Sequence, residues 1–271
     1  MPCHTSPGLI DSHTHTDDER LAADLPEVLK TARASNIVAQ IVPSTRRELW
    51  PRVKGLCAQH ADLFACYGLH PCFCNFHHSD DLEALANWLG TERPVALGEC
   101  GLDYHVSGGD KGHQQKLFAA QLSLAREFNL PIVIHANKAV EDVIRMIRVS
   151  GHSQGMVHSF NGSLQQARRL IDLGYKIGFG GAVTYKRASR LRAMVSDLPL
   201  ESILLETDAP DQPDSSHSGQ RNEPAHLTDI WKSICTLREE SSEDVARVTS
   251  ENAIALFNLP LMVDTHSQLL V

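Results

Sequence analysis

Short apolar runs alternate with amphipathic stretches along almost the whole chain. Eight runs are rich in aliphatic and β-branched residues and turn polar at their ends, which is the pattern of buried strands. These runs are "GLIDSH", "IVAQIVPS", "LFACYGLHP", "PVALGECG", "PIVIHA", "GMVHSF", "YKIGFGG" and "SILLETDA". Most of them are apolar at successive positions, as expected of parallel strands that are covered on both faces.

Amphipathic stretches separate these runs and repeat apolar residues every three or four positions, which predicts helices. They include "DLPEVLKTARASN", "DDLEALANWLG", "HQQKLFAAQLSLAREFN", "AVEDVIRMIRVS" and "SLQQARRLIDLG", and two more, "AHLTDIWKSICTLREE" and "SEDVARVTSENAIALF", follow the last strand. Eight βα units in roughly 250 residues predict an α/β fold, a TIM (β/α)8 barrel. A doubly wound sheet is the alternative.

No Pro- or Ser-rich linker and no internal repeat divides the chain. The sequence therefore predicts a single barrel domain over residues 1–260, followed by a C-terminal tail over residues 261–271. We expect this tail to be disordered or to pack on the outside of the barrel.

Composition limits where the protein acts and what it binds. The 271 residues are 42% apolar, but no window approaches the roughly 18 uninterrupted apolar residues of a membrane helix, and no signal peptide is recognisable, so we predict a cytoplasmic protein without a membrane partner. Seven scattered cysteines suit reduced thiols. The net charge of -8, with no run of five basic residues, argues against tight non-specific binding of duplex nucleic acid, although bound cations can supply positive charge locally.

Ligand-type side chains stand where the predicted strands end. In a (β/α)8 barrel these ends lie on the rim that carries active sites. Two histidines separated by one residue on a strand leave from the same face and can reach one point. Four imidazoles and two carboxylates predict a site for one or two divalent transition ions. The candidate ligands are His13, His15, Glu99, His135, His158 and Asp208.

Several motifs resemble, in order, those of the TatD family of metal-dependent hydrolases, which belongs to the amidohydrolase superfamily. They are "IDSHTH", "YGLHP", "ALGECGLDY", "PIVIHA", "VHSFNGS", "LGYKIGFGGAVTY", "LLETDAPD" and "QRNEPAHL", and they cover about residues 9 to 260. Among the branches of the family, the sequence looks most like the YjjV-like bacterial one.

The resemblance implies a dinuclear site. Its first metal would be bound by His13, His15 and Asp208. Glu99 would bridge to a second metal, which His135 and His158 complete. We expect two divalent ions, with Zn, Mn, Mg and Ni all open. In the mechanism that follows, Asp208 is the general base for an attacking water, and Glu99 fixes the spacing of the metals and orients that water.

Four residues are candidates for substrate binding. His70 ends the third strand, Asn161 lies in the loop after the sixth, and Arg221 either contacts substrate or caps the following helix. Asn137 marks a departure, since many relatives have Ser-Arg-Asp after the fifth-strand histidine where this chain has Ala136, Asn137 and Lys138. An arginine there could pair with a phosphate through two hydrogen bonds, which neither an amide nor a lysine reproduces.

Three functions remain open from the sequence. The first is a TatD-like deoxyribonuclease that hydrolyses phosphodiesters at the ends of single-stranded or frayed DNA. The second is a small-molecule amidohydrolase or esterase with the same metals and a different pocket. The third is a binding or scaffold protein without turnover, which would need broken ligands. Expected partners are single-stranded DNA, a nucleotide or a small ester, and the monomer is the favoured state.

Overall fold

The computed structural model describes residues 8–105, 110–263 and 269–270, the last pair and residues 262–263 by their backbone only. Eight parallel strands form one sheet in which each is hydrogen-bonded to its neighbours in sequence order. All eight correspond to predicted strands. They are β1 (Leu9–Asp11), β2 (Ile37–Ser44), β3 (Leu63–Tyr67), β4 (Ala96–Asp103), β5 (Ile132–Asn137), β6 (Gly155–Val157), β7 (Tyr175–Phe179) and β8 (Ile203–Leu205).

Ten α-helices occur in the described part of the chain. They are α1 (Glu19–Ala22), α2 (Leu25–Ala34), α3 (Trp50–Gln59), α4 (Asp81–Glu92), α5 (Lys111–Glu127), α6 (Val140–Ser150), α7 (Leu164–Asp172), α8 (Ser189–Asp197), α9 (Leu227–Cys235) and α10 (Ser242–Phe257). Seven of them match the stretches quoted above, whereas α1, α3 and α8 do not correspond to any of those stretches. None of the helices within the described residues has the length and apolar character needed to cross a membrane.

Local sequence explains where several helices begin. Asp110 opens α5 because its carboxylate accepts hydrogen bonds from the N–H groups of Gly112 and His113. Ser163 and Gln166 form a capping box at the start of α7, in which each side chain accepts from the other residue's backbone N–H.

The chain divides into two compact units. Unit 1 comprises Met1–Ile41 and Gly178–Val271. In this unit α10 packs on β1 and β8 and buries Val245, Ala246 and Phe257. Unit 1 therefore has an apolar core of its own, built from the two ends of the chain.

Unit 2 is the continuous segment Val42–Ile177. Its strands pair in parallel from β3 to β7, and β4 is buried along its whole length. On β3 and the helices near it, Trp50, Tyr67 and Trp88 form an aromatic group with ring centroids 5.7 to 6.5 Å apart. Trp50 and Tyr67 are buried, so unit 2 also has an apolar core of its own.

The predicted tail is described only in part. Two short strands, β9 (Met262–Val263) and β10 (Leu269–Leu270), pair in antiparallel fashion. Residues 264–268 and 271 of the predicted tail lie outside the described residues.

Candidate metal centre

Unit 1 brings together three of the predicted ligands, His13, His15 and Asp208, which we call the first cluster. The Nε2 atoms of the two histidines are 3.3 Å apart, and Oδ1 of Asp208 lies 3.5 Å from each of them. Nearest-neighbour donors around a tetrahedral ion with bonds of about 2.1 Å are separated by about 3.4 Å. The donor atoms of the first cluster therefore have the spacing of ligands around a metal ion, and this cluster could hold one.

The structure corrects one expectation about this cluster. We expected both histidines to lie on the first strand and to share a face by alternation, but β1 ends at Asp11. The histidines lie in the segment that follows, which runs beside the segment after β8. Asp208 N–H donates to the carbonyl of His13 at 2.9 Å, and His15 N–H donates to that of Ala209 at 2.7 Å. Backbone hydrogen bonds, rather than strand alternation, align the three ligands.

Asp11 supports the first cluster through hydrogen bonds, and no sequence pattern indicated this role. Its Oδ1 accepts from the N–H groups of Thr207 and His13 at 2.9 and 3.3 Å, and its Oδ2 accepts from the Thr207 hydroxyl at 2.5 Å. Complete burial raises the pKa of this carboxyl to about 8, against the hydrogen bonds that lower it. Asp11 thus joins the two segments that carry the ligands of unit 1.

Unit 2 holds the second cluster, which centres on Glu99. Oε1 of Glu99 lies 3.2 Å from Nδ1 of His135 and 2.8 Å from Nε2 of His158, so these predicted ligands meet. His70, a predicted substrate residue, also reaches this oxygen, with Nε2 at 2.9 Å. Because Nδ1 of His70 accepts from the N–H of Cys72, its Nε2 carries the proton and donates to Glu99. His70 is therefore placed to orient Glu99.

Asp103 is a further member of the second cluster, and no sequence pattern indicated it. Its Oδ2 lies 2.8 Å from Nε2 of His135. Burial would raise the pKa of Asp103, but the hydrogen bond from His135 and others hold it well below the usual range. Burial opposes a charge on His135 too, yet Asp103 and Glu99 raise its pKa to about 9. An imidazole that donates the N–H of one ring nitrogen to a carboxylate can bind a metal through the other nitrogen once that nitrogen has lost its proton, a common arrangement around zinc.

Glycines in β4 explain how Glu99 reaches this position. The pairing of β4 with β5 shifts register between Leu97 and Cys100, which places Glu99 at an irregularity of the strand. Gly101 has a φ of +131°, and a Cβ there would lie 2.1 Å from the carbonyl oxygen of His135. Only glycine allows this approach of β4 to the strand that carries His135.

Strained backbone also concentrates beside the predicted ligands. Three residues at or next to ligand-bearing segments have positive φ angles. These angles are +53° at Lys138, +44° at Ser159 and +55° at Asp208. Such conformations cost free energy in residues other than glycine and are enriched at functional sites. They turn the chain sharply just after β5, β6 and β8.

The remaining predicted substrate residues have different environments. The amide of Asn137 donates to Oδ2 of Asp103 at 3.1 Å, so Asn137 belongs to the second cluster. Asn161 is exposed in the loop after β6. Arg221, in unit 1, donates to both carboxylate oxygens of Asp24 at 2.9 and 2.6 Å and to Glu223 at 2.6 Å. These ion pairs favour the capping and bracing alternative for Arg221.

A third group, Asp214, His217 and His226, was also not anticipated. Nδ1 of His217 lies 2.6 Å from the buried carboxylate of Asp214. The two imidazoles are stacked, with ring centroids 3.6 Å apart and an angle of 7° between their planes. Lone pairs lie in the ring plane, so parallel stacked rings cannot both direct one at the same ion. This group braces the loop after β8.

Comparisons with known proteins agree with this geometry. A family model described as "TatD related DNase" matches residues 10–258. The "Uncharacterized metal-dependent hydrolase YjjV" of Escherichia coli strain K12 is 39% identical over 255 residues, which are 93% of this chain and 98% of YjjV. The "Uncharacterized metal-dependent hydrolase YabD" of Bacillus subtilis strain 168 is 34% identical over 253 residues, or 93% and 99% of the two chains.

Solved structures give the same result. The crystal structure of YjjV, described as a TatD homologue from E. coli K12, matches with a TM-score of 0.90 and 38% identity over 93% of this chain and 98% of that one. A TatD family hydrolase from Entamoeba histolytica has a TM-score of 0.82 with the same coverages, and at 19% identity it shows the fold alone.

The fold and the clusters define a metal-dependent hydrolase with a (β/α)8-barrel fold. The chain belongs to the TatD family. The predicted fold class and the resemblance stated from the motifs are both confirmed.

Proposed function

We propose that this hydrolase cleaves phosphodiester bonds at the ends of single-stranded or frayed DNA, and that it uses two divalent ions, one at each cluster. The metal chemistry is supported mainly by the geometry of the first cluster, in which the three donor atoms are 3.3 to 3.5 Å apart. The substrate class is supported by the family model, whose description names a DNase. We also propose that the enzyme acts in the cytoplasm, as a monomer.

A divalent ion bound by these residues would lower the pKa of water and polarise an oxygen of the phosphoryl group whose phosphorus the water attacks. The chain's own residues then have distinct tasks. Asp208 points Oδ1 toward the two histidines, while its Oδ2 accepts a short hydrogen bond from the Gln212 amide. Held in this way, Asp208 acts as the general base that takes the water proton and later returns it to the leaving oxygen.

The second cluster contributes a fixed carboxylate. Glu99 is buried, and three imidazole nitrogens lie within 3.2 Å of its Oε1. Asp103 in turn fixes the orientation of His135. This preorganisation means that little rearrangement is required when a charged group arrives.

A single-stranded oligonucleotide labelled at either end tests the proposal. We expect chelator-treated protein to be inactive and to release mononucleotides once Mn²⁺, Mg²⁺, Zn²⁺ or Ni²⁺ is restored, with Asp208→Asn keeping bound metal and losing rate. Comparing the 5′ and 3′ labels gives the direction of digestion. Absence of metal-dependent release by the wild type with every ion tested would refute the nuclease proposal.

The second candidate is a small-molecule amidohydrolase or esterase. Asn137 favours it, since its amide is engaged with Asp103 and supplies no guanidinium after β5. A panel of carboxylic esters, lactones and amides, assayed with the same ions, separates the two candidates. Turnover of that panel without nucleotide release would establish the second one.

A further inference from the structure

The stretch that contains β7, most of α8 and the segment between them is the most basic part of an acidic protein. The 24 residues from 173 to 196 contain no Asp or Glu, whereas the whole chain has a net charge of -8. The basic residues of this stretch are Lys176, Lys186, Arg187, Arg190 and Arg192. Four of them fall within seven consecutive positions, which concentrates positive charge just after a strand end.

A cavity of about 340 Å³ adjoins this segment within unit 1. It is lined by Ala182, Tyr185, Arg187, Ala188, Gln212 and Pro213. Gly181 lets its two sides approach, because a Cβ there would lie 2.3 Å from the carbonyl oxygen of Gln212. The Tyr185 hydroxyl lies 3.1 and 3.2 Å from the carbonyls of Pro213 and Asp214, so the ring is held in place. The cavity therefore has a fixed aromatic wall.

Arg187 stands on that wall, with its guanidinium carbon 5.1 Å from the centroid of the Tyr185 ring. It is exposed and, among the described residues, forms no ion pair. Other arginines of unit 1 behave differently: Arg20 pairs with Asp211 and Arg247 with Asp244. Stacking on an aromatic ring orients a guanidinium while leaving its N–H donors available for an anion.

The cavity is linked to the first cluster through Gln212. This residue lines the cavity, and its amide also donates to Oδ2 of Asp208. An anion held by Arg187 would thus lie in a cavity whose wall, Gln212, is hydrogen-bonded to the proposed general base.

We propose that Arg187, oriented by Tyr185 and supported by the charge of Lys186, binds a phosphate group next to the scissile bond of the substrate. This inference rests on the proposed function and deepens it, since it assigns the recognition of a substrate with at least two phosphates. A guanidinium binds phosphate through two parallel hydrogen bonds, so a flanking phosphodiester fits it better than a neutral ester group does.

Arg187→Gln tests the assignment with two substrates. One is an eight-residue oligothymidylate, and the other is the p-nitrophenyl ester of thymidine 5′-phosphate, which has a scissile phosphodiester and no flanking phosphate. We expect KM for the oligonucleotide to rise about ten- to a hundredfold with kcat unchanged, as for loss of a charge-assisted hydrogen bond, and the kinetics of the ester to stay unchanged. Arg187→Lys, which keeps the charge and loses the fork, should fall between.

The matched control is Arg148→Gln, which removes one positive charge from an exposed position of α6. We expect it to behave as the wild type with both substrates. Circular dichroism confirms that each variant is folded, and Arg187→Lys provides the test should Arg187→Gln not fold. The assignment would be overturned if Arg187→Gln kept the wild-type KM for the oligonucleotide, or if its KM rose equally for both substrates.

Binding without turnover separates this inference from the proposed function. In chelator, we expect fluorescence anisotropy to show weaker oligothymidylate binding by Arg187→Gln and a slope of log K against log salt that is smaller by about 0.7, the value for one phosphate of a single strand. Inorganic phosphate should compete with the oligonucleotide for the wild type, and should compete less for Arg187→Gln. Tighter binding of phosphate than of the oligonucleotide would indicate a small phosphorylated substrate and would contradict the flanking-phosphate assignment. A wild type that binds the oligonucleotide through Arg187 and cleaves no phosphodiester would refute the proposed function alone.

Discussion

The two clusters reach a similar ligand set by different means. In the first cluster two imidazoles and a carboxylate stand 3.3 to 3.5 Å apart, and backbone hydrogen bonds set their positions. In the second, Glu99 has three imidazole nitrogens within 3.2 Å, and Asp103 holds one of those imidazoles from its other side. The second cluster is thus stabilised by its own charges and hydrogen bonds, whereas the spacing of the first is that of donors around an ion.

The difference predicts that the two clusters respond differently to protons and metals. A proton on His135 replaces part of the charge that a cation would supply, and the raised pKa of about 9 reflects this. The first cluster has a single carboxylate for two histidines, so its donor atoms match a metal cation better than they match a proton. Mutations that affect one cluster at a time can test this contrast.

The largest effect is expected from removing both histidines of the first cluster. For His13→Ala combined with His15→Ala we expect a loss of one metal ion per chain and a fall in turnover of at least about a thousandfold, since a catalytic ion contributes several kcal/mol of transition-state stabilisation. Elemental analysis and initial rates measure the two quantities. Circular dichroism should still show a cooperatively folded protein, and an unfolded one would mean that the histidines are structural.

Removing the support of the second cluster should have a smaller effect. For Asp103→Asn we expect turnover and metal affinity to fall about ten- to a hundredfold, as for other carboxylates behind a metal-binding histidine. In metal-free protein the pKa of His135 should drop from about 9 toward its ordinary value, measured by NMR titration of the ring. Asn137→Ala, which removes a donor to the same oxygen of Asp103, is the control and should change both quantities less.

Asp11 provides a test of how the first cluster depends on pH. Burial raises its pKa from 3.8 to about 8, so the folded state binds this proton more tightly than the unfolded state. The stabilisation is complete below pH 3.8 and is lost as the pH rises through 8, with a slope of at most about 1.4 kcal/mol per pH unit. Urea unfolding of chelator-treated protein should therefore show the free energy of unfolding of the wild type falling relative to that of Asp11→Asn between pH 5 and pH 8, because the amide does not titrate. A constant difference would contradict the buried neutral carboxyl.

The smallest effect is expected at Arg221, which lies outside both clusters. Its ion pairs with Asp24 and Glu223 are partly exposed, so Arg221→Gln should lower the free energy of unfolding by about 1 kcal/mol or less. We expect KM to stay within about twofold of the wild type, because the guanidinium is already engaged. A large rise in KM with unchanged stability would instead support the substrate contact considered from the sequence.

The order of strands and the kinds of ligand could be predicted from local sequence. Apolar runs and their polar ends repeat at short range, and each of the eight predicted strands is present. The six predicted ligands separate into the two clusters that the resemblance to the TatD family implied. What failed was a boundary: β1 ends at Asp11, before the histidines, because their backbone groups bond to the segment after β8.

By itself, then, the sequence determined the strand pattern, the family and the donor types at the strand ends, because these depend on periodicity and motifs within a few residues. Tertiary structure alone decided which side chains support those donors. Asp103 meets His135 across 32 positions, Asp11 meets Thr207 across 196, and Arg221 meets Asp24 across 197. Such partners are chosen by strand register and by the close approach of loops, and these long-range distances are set only when the whole chain has folded.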